Sequence, residues 1–203
     1  TRRRFVARLL AWHAESGRDL LIREAATPWE ILVAEVMSHQ TQIERVGPPW
    51  RRFVDTWPSP AALADAGTRD LLAAWAGLGY NRRALALREA ARRIVTDHAG
   101  AVPVTLQELE SLPGIGPYTA RAIAATAYGA PVAPLDVNVR RVVTRVAGVD
   151  PRSRGIQATA DALDATLESM REEMRRFSLA EIEPNAHGWH EANAYIPLDV
   201  IAK

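Results

Sequence analysis

The sequence has no cysteine in its 203 residues, which excludes disulfides, thiolate metal sites and cysteine nucleophiles. It has no apolar run near the roughly 20 residues that span a bilayer. The basic start at residues 1–4 (TRRR) is not followed by a secretory core or a cleavage site. We therefore expect a cytoplasmic protein with no membrane association and no thiol chemistry.

Lysine is also scarce, because nearly all the cationic residues are arginine, and the net charge is only +1. Several arginines form pairs, namely Arg51/Arg52, Arg82/Arg83, Arg92/Arg93 and Arg140/Arg141. Paired arginines are suited to phosphate binding, but they also occur on solvated helix faces beside Asp and Glu. Charge alone leaves both interpretations open. With 48% hydrophobic and 24% charged residues, the composition is that of an ordinary soluble globular protein.

Strand-like alternation is almost absent, whereas apolar residues recur at spacings of three and four, which predicts an all-α fold with short connections. The periodic segments are 31–37, 61–76, 83–97, 118–128, 137–147 and 157–176. Two helix starts carry capping-box patterns, at 27–30 (TPWE) and 105–108 (TLQE). Glycine and proline mark stops at 47–49, 77–79, 100 and 129–131. Clear periodicity ends after about residue 177.

Two glycines, Gly114 and Gly116, lie between a capped helix at 105–111 and a helix that starts near residue 118. Such glycines allow a tight turn that exposes backbone N–H groups at a helix N-terminus, where phosphate binds without side-chain charge. The order helix, hydrophobic-Pro-Gly-hydrophobic-Gly, helix predicts a helix-hairpin-helix motif. A packing turn is the alternative, although it would not need both glycines. The motif only positions a nucleic-acid backbone, so the chemistry must come from other residues.

Two acidic residues occupy positions that favour chemistry. Glu35 lies within the apolar segment 31–37 (ILVAEVM), where desolvation would raise its pKa and keep it protonated near neutral pH. An exposed acid on an amphipathic helix is the alternative. Asp136 precedes the helix 137–147, so it is either a simple N-cap or a carboxylate kept ionised by the helix N-terminus. One protonated and one ionised acid are what hydrolysis through an oxocarbenium-like state uses.

Four ordered motifs occur between about residue 18 and residue 147. They are 34–37 (AEVM) with 40–42 (QTQ), 77–80 (GLGY), 112–123 (LPGIGPYTARAI) and 135–142 (LDVNVRRV). With them the sequence resembles the helix-hairpin-helix (HhH-GPD) DNA glycosylase superfamily, most closely its adenine DNA glycosylase branch. The resemblance implies a two-lobed all-α fold with the active site in the cleft between the lobes. One lobe would be 27–136, with the hairpin at about 105–128, and the other 1–26 with 137–203.

The resemblance implies a monofunctional DNA glycosylase of base excision repair, which hydrolyses the N-glycosidic bond of a flipped base. Glu35 would be the general acid and Asp136 the stabiliser of positive charge at the anomeric carbon, with Asn138 supporting the site. Relatives with lyase activity carry a lysine nucleophile directly after the hairpin, whereas this sequence has Tyr118. No Schiff base is therefore expected.

The resemblance also implies contacts with DNA. Tyr80 would fill the base stack after the target nucleotide is extruded, with a buried core tyrosine as the alternative. Arg83, like Arg82, would contact the DNA backbone. The other expected DNA contacts are Gln40, Thr41, Gln42, Gly114, Gly116 and Thr119. Candidates for the base pocket or the opposite base are Arg23, Ser38, His39 and Glu191. His39 has two interpretations, reading of the opposite base or a hydrogen bond at the surface.

The sequence departs from the adenine-specific branch in three respects. It lacks the four cysteines of an iron–sulfur cluster, so we expect a clusterless or truncated member that requires no cofactor. It has no room for the separate C-terminal domain that reads 8-oxoguanine. Its pocket segments 21–23 (LIR) and 38–40 (SHQ) are smaller and more polar than the usual Pro-Trp-Arg and Leu-Gln-Gln. By analogy with relatives, a monovalent cation is expected at the backbone carbonyls of Glu110, Leu112 and Ile115.

The expected substrate is double-stranded DNA with a mismatch or lesion, and the expected target is adenine mispaired with guanine or 8-oxoguanine. A thymine/uracil mismatch glycosylase and a non-catalytic DNA-binding homologue are the alternatives, and a bifunctional lyase is a minor one. We expect a monomer that acts in the cytoplasm, associated with the nucleoid.

Overall fold

The computed structural model describes residues 20–162 apart from 151, together with residues 8, 11, 12 and 14–16. The described residues from 20 onward belong to one compact unit, and the earlier ones, which are helical, belong to another. The predicted division into lobes at residue 136 stays a prediction. Glu191 lies outside the described residues.

Regular structure between residues 20 and 162, leaving out 151, is entirely helical, which confirms the all-α prediction. Short 3-10 turns occur at Leu21–Glu24 and Ile43–Arg45, and residues 156–162 are also helical. The α-helices are α1 (Pro28–Ser38), α2 (Gly47–Thr56), α3 (Pro60–Ala64), α4 (Thr68–Ala74), α5 (Arg82–Asp97), α6 (Leu106–Ser111), α7 (Pro117–Tyr128) and α8 (Val137–Ala147). No helix in this part of the chain is long and apolar enough to cross a membrane.

The two predicted capping boxes differ in how many of their hydrogen bonds form. At α1 the capping box is complete, since Thr27 Oγ1 accepts from Glu30 N at 3.2 Å and the Glu30 carboxylate accepts from Thr27 N at 3.2 Å. At α6 Thr105 Oγ1 accepts from Glu108 N, but its own hydroxyl donates to the Glu108 carboxylate at 2.6 Å. The second capping box is therefore only half formed.

Helix α2 was not predicted, because its first residues, 47–49 (GPP), were interpreted as a stop. Proline is compatible with the first turn of a helix, where the backbone N–H groups have no intrahelical partner. The long segment predicted at 61–76 is two helices, α3 and α4. The break falls at residues 65–67, where Gly67 is the N-cap of α4.

The core forms around α1, which contacts α2, α5 and α7. Leu32, Val33 and Met37 of this helix are fully buried with Trp50, Phe53 and Trp75. Two indole N–H groups are paired, Trp29 with the Trp57 carbonyl at 2.9 Å and Trp50 with the Glu30 carbonyl at 3.0 Å. A smaller cluster of Ala133, Val143, Ile156 and Ala160 lies behind the start of α8. Glu35 is thus carried by the most enclosed helix of the unit.

The predicted hairpin joins α6 to α7, and its two glycines differ. Gly114 has φ +81°, and a Cβ there would lie 3.0 Å from the Ala86 Cβ on α5. Gly116 is the N-cap of α7 with φ −95°, and no heavy atom lies within 4 Å of where its Cβ would be. The fold therefore requires glycine at 114 but not at 116.

Gly114→Ala should lower the free energy of unfolding by about 1–2 kcal/mol, because an L-residue in the left-handed region costs about that much. Gly116→Ala should change it by less than about 0.5 kcal/mol, since a poorer N-cap is offset by a less flexible unfolded chain. Urea denaturation of both variants measures the difference. Equal losses would contradict this assignment of the two glycines.

Candidate active site

A cleft of about 570 Å³ lies beside α1, the start of α7 and the residue that precedes α8. Its walls are formed by residues that the sequence analysis had singled out: Glu35, Ser38, His39, Gln40, Tyr80, Arg82, Arg83, Tyr118, Thr119 and Asp136. A neighbouring cavity of about 350 Å³ shares His39, Arg82 and Arg83 and reaches the hairpin at Gly114. The structure therefore brings both candidate acids into one cleft next to the hairpin.

Glu35 is partly buried on α1, between the buried Ala34 and Val36. Burial raises the pKa of its carboxyl above the ordinary value for glutamic acid. Within the described part of the chain this carboxyl forms no hydrogen bond or ion pair, so it is available to a ligand in the cleft. A desolvated acid of this kind retains its proton to higher pH than a surface glutamate does.

Asp136 is the N-cap of α8, as the simpler of the two sequence interpretations predicted. Its Oδ1 accepts from Val139 N at 2.6 Å, and its Oδ2 accepts from the Asn138 side-chain amide at 3.3 Å. The carboxylate also lines the cleft, so capping does not remove it from the site. A helix N-terminus favours a negative charge at this position.

Tyr118 lies at the start of α7 and lines the same cleft. The pKa of its phenol is raised by burial and by the negative charges of Glu35 and Asp136. Tyr118 is therefore close enough to interact electrostatically with each of the two carboxyl groups. At neutral pH the phenol keeps its proton and can donate a hydrogen bond into the cleft.

A network behind Asp136 holds the loop that leads to it. Asp161 Oδ1 accepts from Ala133 N at 2.9 Å, from Arg121 at 2.8 Å and from the Gln157 amide at 3.0 Å. The Gln157 amide also donates to the Ala133 carbonyl at 2.9 Å. Because Arg121 belongs to α7, this network ties the Asp136 loop to the hairpin helix. Sequence reasoning missed it, although Gln157 and Asp161 are four apart on one predicted helix.

His39 connects the end of α1 to α7, because its Nε2 lies 2.9 Å from Thr119 Oγ1. Thr119 is only 3% exposed, so its hydroxyl bonds to His39 within the protein interior. Burial, together with the charge of Arg83, lowers the pKa of His39, and the ring is therefore neutral at pH 7. This internal bond is neither of the two roles considered for His39, and contacts of His39 and Thr119 with DNA stay predictions.

Two residues at the mouth of the cleft have left-handed backbone conformations, Gln40 with φ +53° and Tyr80 with φ +51°. Such conformations in residues with a Cβ are concentrated at functional sites. Tyr80 is 55% exposed, which excludes the alternative of a buried core tyrosine. Its aromatic ring lies outside the core, with the Arg83 guanidinium carbon 5.6 Å from the ring centroid.

Arg23, Thr41 and Gln42 do not line the cleft, whereas Arg83 does. Arg23 belongs to the 3-10 turn Leu21–Glu24, and Gln42 is exposed before the turn Ile43–Arg45. Thr41 Oγ1 donates within the protein, with the Leu78 carbonyl at 3.2 Å as one acceptor. The guanidinium of Arg83 is engaged by protein carbonyls, and its contact with DNA stays a prediction. Among the residues that the structure describes, no cluster of His, Asp or Glu could hold a metal ion.

Comparison with known proteins gives a family and named relatives. The family model described as HhH-GPD superfamily base excision DNA repair protein matches residues 33–169. The adenine DNA glycosylase of Mycobacterium tuberculosis is 51% identical over 138 residues, covering 68% of this chain and 45% of that protein. The thymine/uracil-DNA glycosylase of Pyrobaculum aerophilum is 36% identical over 148 residues, covering 72% of this chain and 64% of that protein.

A solved structure has the same fold. The structure of a thermostable thymine-DNA glycosylase superposes with a TM-score of 0.70 at 25% identity, covering 79% of this chain and 77% of that one. By contrast, the chain spans less than half the length of the mycobacterial relatives that it matches.

Replacing Glu35 by glutamine should stabilise the protein at neutral pH. In the folded state the pKa of Glu35 is raised, and in the unfolded state it is about 4.3. The protonated form therefore contributes stability below pH 4, and this is lost as the pH rises through the folded-state pKa. Glu35→Gln should melt at a higher temperature than the unmodified protein at pH 8. Below about pH 4 the gain should vanish, since both states of the parent are then protonated.

Thermal unfolding of both proteins, followed by circular dichroism at pH 8 and at pH 4, measures this difference. The same gain at both pH values would show that desolvation of the charged carboxylate is not its cause.

Proposed function

The chain belongs to the HhH-GPD superfamily of base excision DNA repair proteins, and from this we propose that it is a monofunctional DNA N-glycosylase. The observation that carries the proposal is the convergence of Glu35, Tyr118 and Asp136 in one cleft beside the hairpin. The proposed substrate is a mismatched or damaged base in duplex DNA, extruded into that cleft by a monomer acting on the nucleoid. A cavity of about 570 Å³ has the volume of a small-molecule site.

In the proposed mechanism the two acids have different roles. Protonated Glu35 donates its proton to the departing base as the bond between the base nitrogen and C1′ breaks. Ionised Asp136 stabilises the positive charge that develops on the sugar. Water then adds to C1′, and its proton passes to the Glu35 carboxylate, which restores the enzyme. Tyr118 keeps its phenolic proton and donates a hydrogen bond within this site.

No lysine is among the described residues that line the cleft, and this supports hydrolysis without strand cleavage. A lyase step needs a primary amine that attacks C1′ to form a Schiff base. The position after the hairpin is occupied by Tyr118, and the single lysine of the sequence, Lys203, lies outside the described residues. A phenol has no nitrogen and therefore cannot form an imine.

The hairpin is the proposed anchor for the DNA backbone. The first N–H groups of α7, a helix of 12 residues, have no intrahelical partner and can bind a phosphate. The open space at Gly116 lets the phosphate approach the backbone closely. Tyr80 would enter the base stack, and Arg82, which is exposed and lines both cavities, would bind a phosphate.

Adenine is the proposed target because the mycobacterial relative that shares half of the aligned residues is an adenine DNA glycosylase. Thymine or uracil opposite guanine is the second candidate. It is favoured because the chain covers a much larger share of the thymine-specific structure than of the mycobacterial adenine enzyme. Ser38 lines the cleft, but its hydroxyl donates to the Ala34 carbonyl at 2.7 Å and therefore offers a base only acceptor lone pairs.

A base-release assay tests the proposal. Duplexes with each mismatch, uracil, hypoxanthine or 8-oxoguanine pairs are incubated with the protein and then treated with alkali. We expect strand breaks only after alkali, with adenine opposite guanine or 8-oxoguanine released fastest. Glu35→Gln should reduce release at least about 100-fold, the lower range for a general acid.

Asp136 offers a matched pair for the same assay. Asp136→Asn keeps an N-cap but loses the negative charge. Base release should therefore fall about as much as in Glu35→Gln, while the free energy of unfolding is unchanged. Asp136→Ala should in addition cost about 1 kcal/mol of stability. Release of thymine but not adenine would establish the second candidate. No release from any duplex, with binding intact, would favour a non-catalytic DNA-binding protein, and trapping of the DNA by borohydride would reveal a lyase.

Gly116→Ala should weaken binding of an undamaged duplex about tenfold, because the added Cβ would occupy the space through which the phosphate approaches the backbone N–H groups. The loss of one hydrogen bond to a charged group costs roughly 1.5 kcal/mol or more. Fluorescence anisotropy measures this affinity, with the parent protein as the reference. Unchanged affinity would contradict the role proposed for the hairpin.

A monovalent cation at the carbonyls of Glu110, Leu112 and Ile115 is part of the same proposal. Leu112 O accepts from Ile115 N at 3.1 Å, which leaves one lone pair of that carbonyl for a cation. The same titration with tetramethylammonium in place of potassium should show weaker binding, because the larger ion cannot fit among carbonyls. Equal affinity in both salts would contradict the cation.

A further inference from the structure

Arg83, the second residue of α5, directs its guanidinium into the protein. Its Nη1 donates to the carbonyls of Val36 (2.9 Å), Met37 (3.2 Å) and His39. Its Nη2 donates to Thr41 Oγ1 (3.1 Å) and to the carbonyls of Leu78 (2.9 Å) and Gly79 (3.2 Å). One cation thus serves six acceptors in two separate segments. Its Nε is buried and has no partner among the described residues.

The first group of acceptors lies at the C-terminal end of α1. Carbonyls in the last turn of a helix lack intrahelical partners, and a positive charge there is favourable. Val36 and Met37 directly follow Glu35, so Arg83 fixes the end of the turn that carries the acid. The second group belongs to the 77–80 turn, where the indole of Trp75 also donates to the Gly79 carbonyl at 3.1 Å.

These acceptors lie directly beside Gln40 and Tyr80, the two cleft residues with left-handed backbones. The His39 carbonyl precedes Gln40, and the Gly79 carbonyl precedes Tyr80. Left-handed conformations are costly for residues with a Cβ, and they persist only where the surroundings hold them. Arg83 is the group that holds both, since its two Nη atoms bind the carbonyl before each of them.

The neighbouring arginine gives a contrast. Arg82 is exposed and forms no hydrogen bond within the part of the chain that the structure describes. Its guanidinium is therefore available to a phosphate, whereas both Nη atoms of Arg83 are occupied by protein acceptors. The two members of one arginine pair thus have different environments.

We propose that Arg83 is a positioning residue that holds Gln40 and Tyr80 in their left-handed conformations and ties both to the helix that carries Glu35. It acts on DNA only through those residues, so the DNA part of this inference rests on the proposed function. A planar guanidinium with several N–H donors is needed, because the compact ammonium of a lysine cannot reach acceptors on two segments. Arg83→Lys therefore removes the planar set of N–H donors and keeps the positive charge.

Hydrogen exchange of the free protein tests the positioning without DNA. The reporting amides are those of Thr41, Leu78 and Arg83, which donate to Ser38, Trp75 and Tyr80. In Arg83→Lys, peptides covering 38–42 and 77–83 should exchange at least about tenfold faster, the effect of losing one or two hydrogen bonds. The hairpin at 106–116 should exchange at the parent rate. Arg82→Lys is the matched control and should leave all these segments unchanged.

If Arg83→Lys does not fold, Thr41→Val replaces it, since this variant leaves the core in place and removes one acceptor of Arg83, together with the bonds of the Thr41 hydroxyl to the His39 and Leu78 carbonyls. It should accelerate exchange in the same two segments by a smaller factor. Parent-like exchange in both segments would overturn the proposal, and equal acceleration in every segment would reduce Arg83 to a general stabilising residue and also overturn it.

A duplex with 2-aminopurine beside the mismatch adds a spectroscopic readout on DNA. Arg83→Lys should retain the salt dependence of DNA binding. It should lose most of the rise in 2-aminopurine fluorescence that accompanies unstacking of the neighbouring base, because Tyr80 is no longer held in position to enter the base stack. Arg82→Gln should reduce the slope of log K against log salt by about one, the effect of one phosphate contact, and keep the fluorescence rise at saturating protein. The same reduction of slope in Arg83→Gln would identify Arg83 as a phosphate ligand and overturn the proposal.

The two proposals fail in distinguishable ways. Failure of the proposed function means that the parent protein releases no base, which leaves the hydrogen-exchange result for the free protein unaffected. Failure of the Arg83 proposal leaves base release by the parent intact.

Discussion

The packing of α1 against α7 is the contact on which the candidate site depends. Both helices contribute fully buried residues to the core, such as Leu32 of α1 and Ala120 of α7. This packing removes water from around Glu35 and raises its pKa. It also brings Tyr118, at the start of α7, within electrostatic reach of Glu35 and Asp136. Without it, Glu35 would be a surface acid and the hairpin would lie far from both candidate acids.

The two carboxyl groups of the cleft are held by opposite physical means. Glu35 has no hydrogen-bond partner in the described part of the chain, and its environment disfavours its charge. Asp136 accepts two hydrogen bonds, one from the backbone of Val139, at a helix N-terminus that favours a negative charge. The desolvated acid costs stability when it is charged, whereas the capping aspartate stabilises its helix. The different roles proposed for the two acids are based on these environments.

Much of the fold could be predicted from local patterns. The segments 83–97, 118–128 and 137–147 correspond to α5, α7 and α8 within a residue, because periodicity and capping residues act over single turns. The pattern that failed was local as well, since glycine and proline at 47–49 can either stop a helix or start one. The periodic segment 61–76 was predicted as one helix, but it contains a break between α3 and α4. Periodicity does not reveal this break, because both helices bury apolar residues.

The candidate site was predictable in its membership but not in its contacts. Glu35, Asp136 and Tyr118 were visible in the sequence, since an acid in an apolar run and the residue after a hairpin are local features. The roles of Arg83 and Asp161 were not, because each bonds to segments distant in the chain, and an arginine pair or an acid on a helix has many possible partners. His39 and Thr119, 80 residues apart, likewise meet only in three dimensions.

The hairpin, the two acids and most of the helices, though not α2 or the break between α3 and α4, could be predicted from the sequence, because capping, periodicity and glycine turns depend on near neighbours. Tertiary structure alone decided which side chains are desolvated and which arginine faces solvent, because burial and long-range hydrogen bonds depend on how distant helices pack.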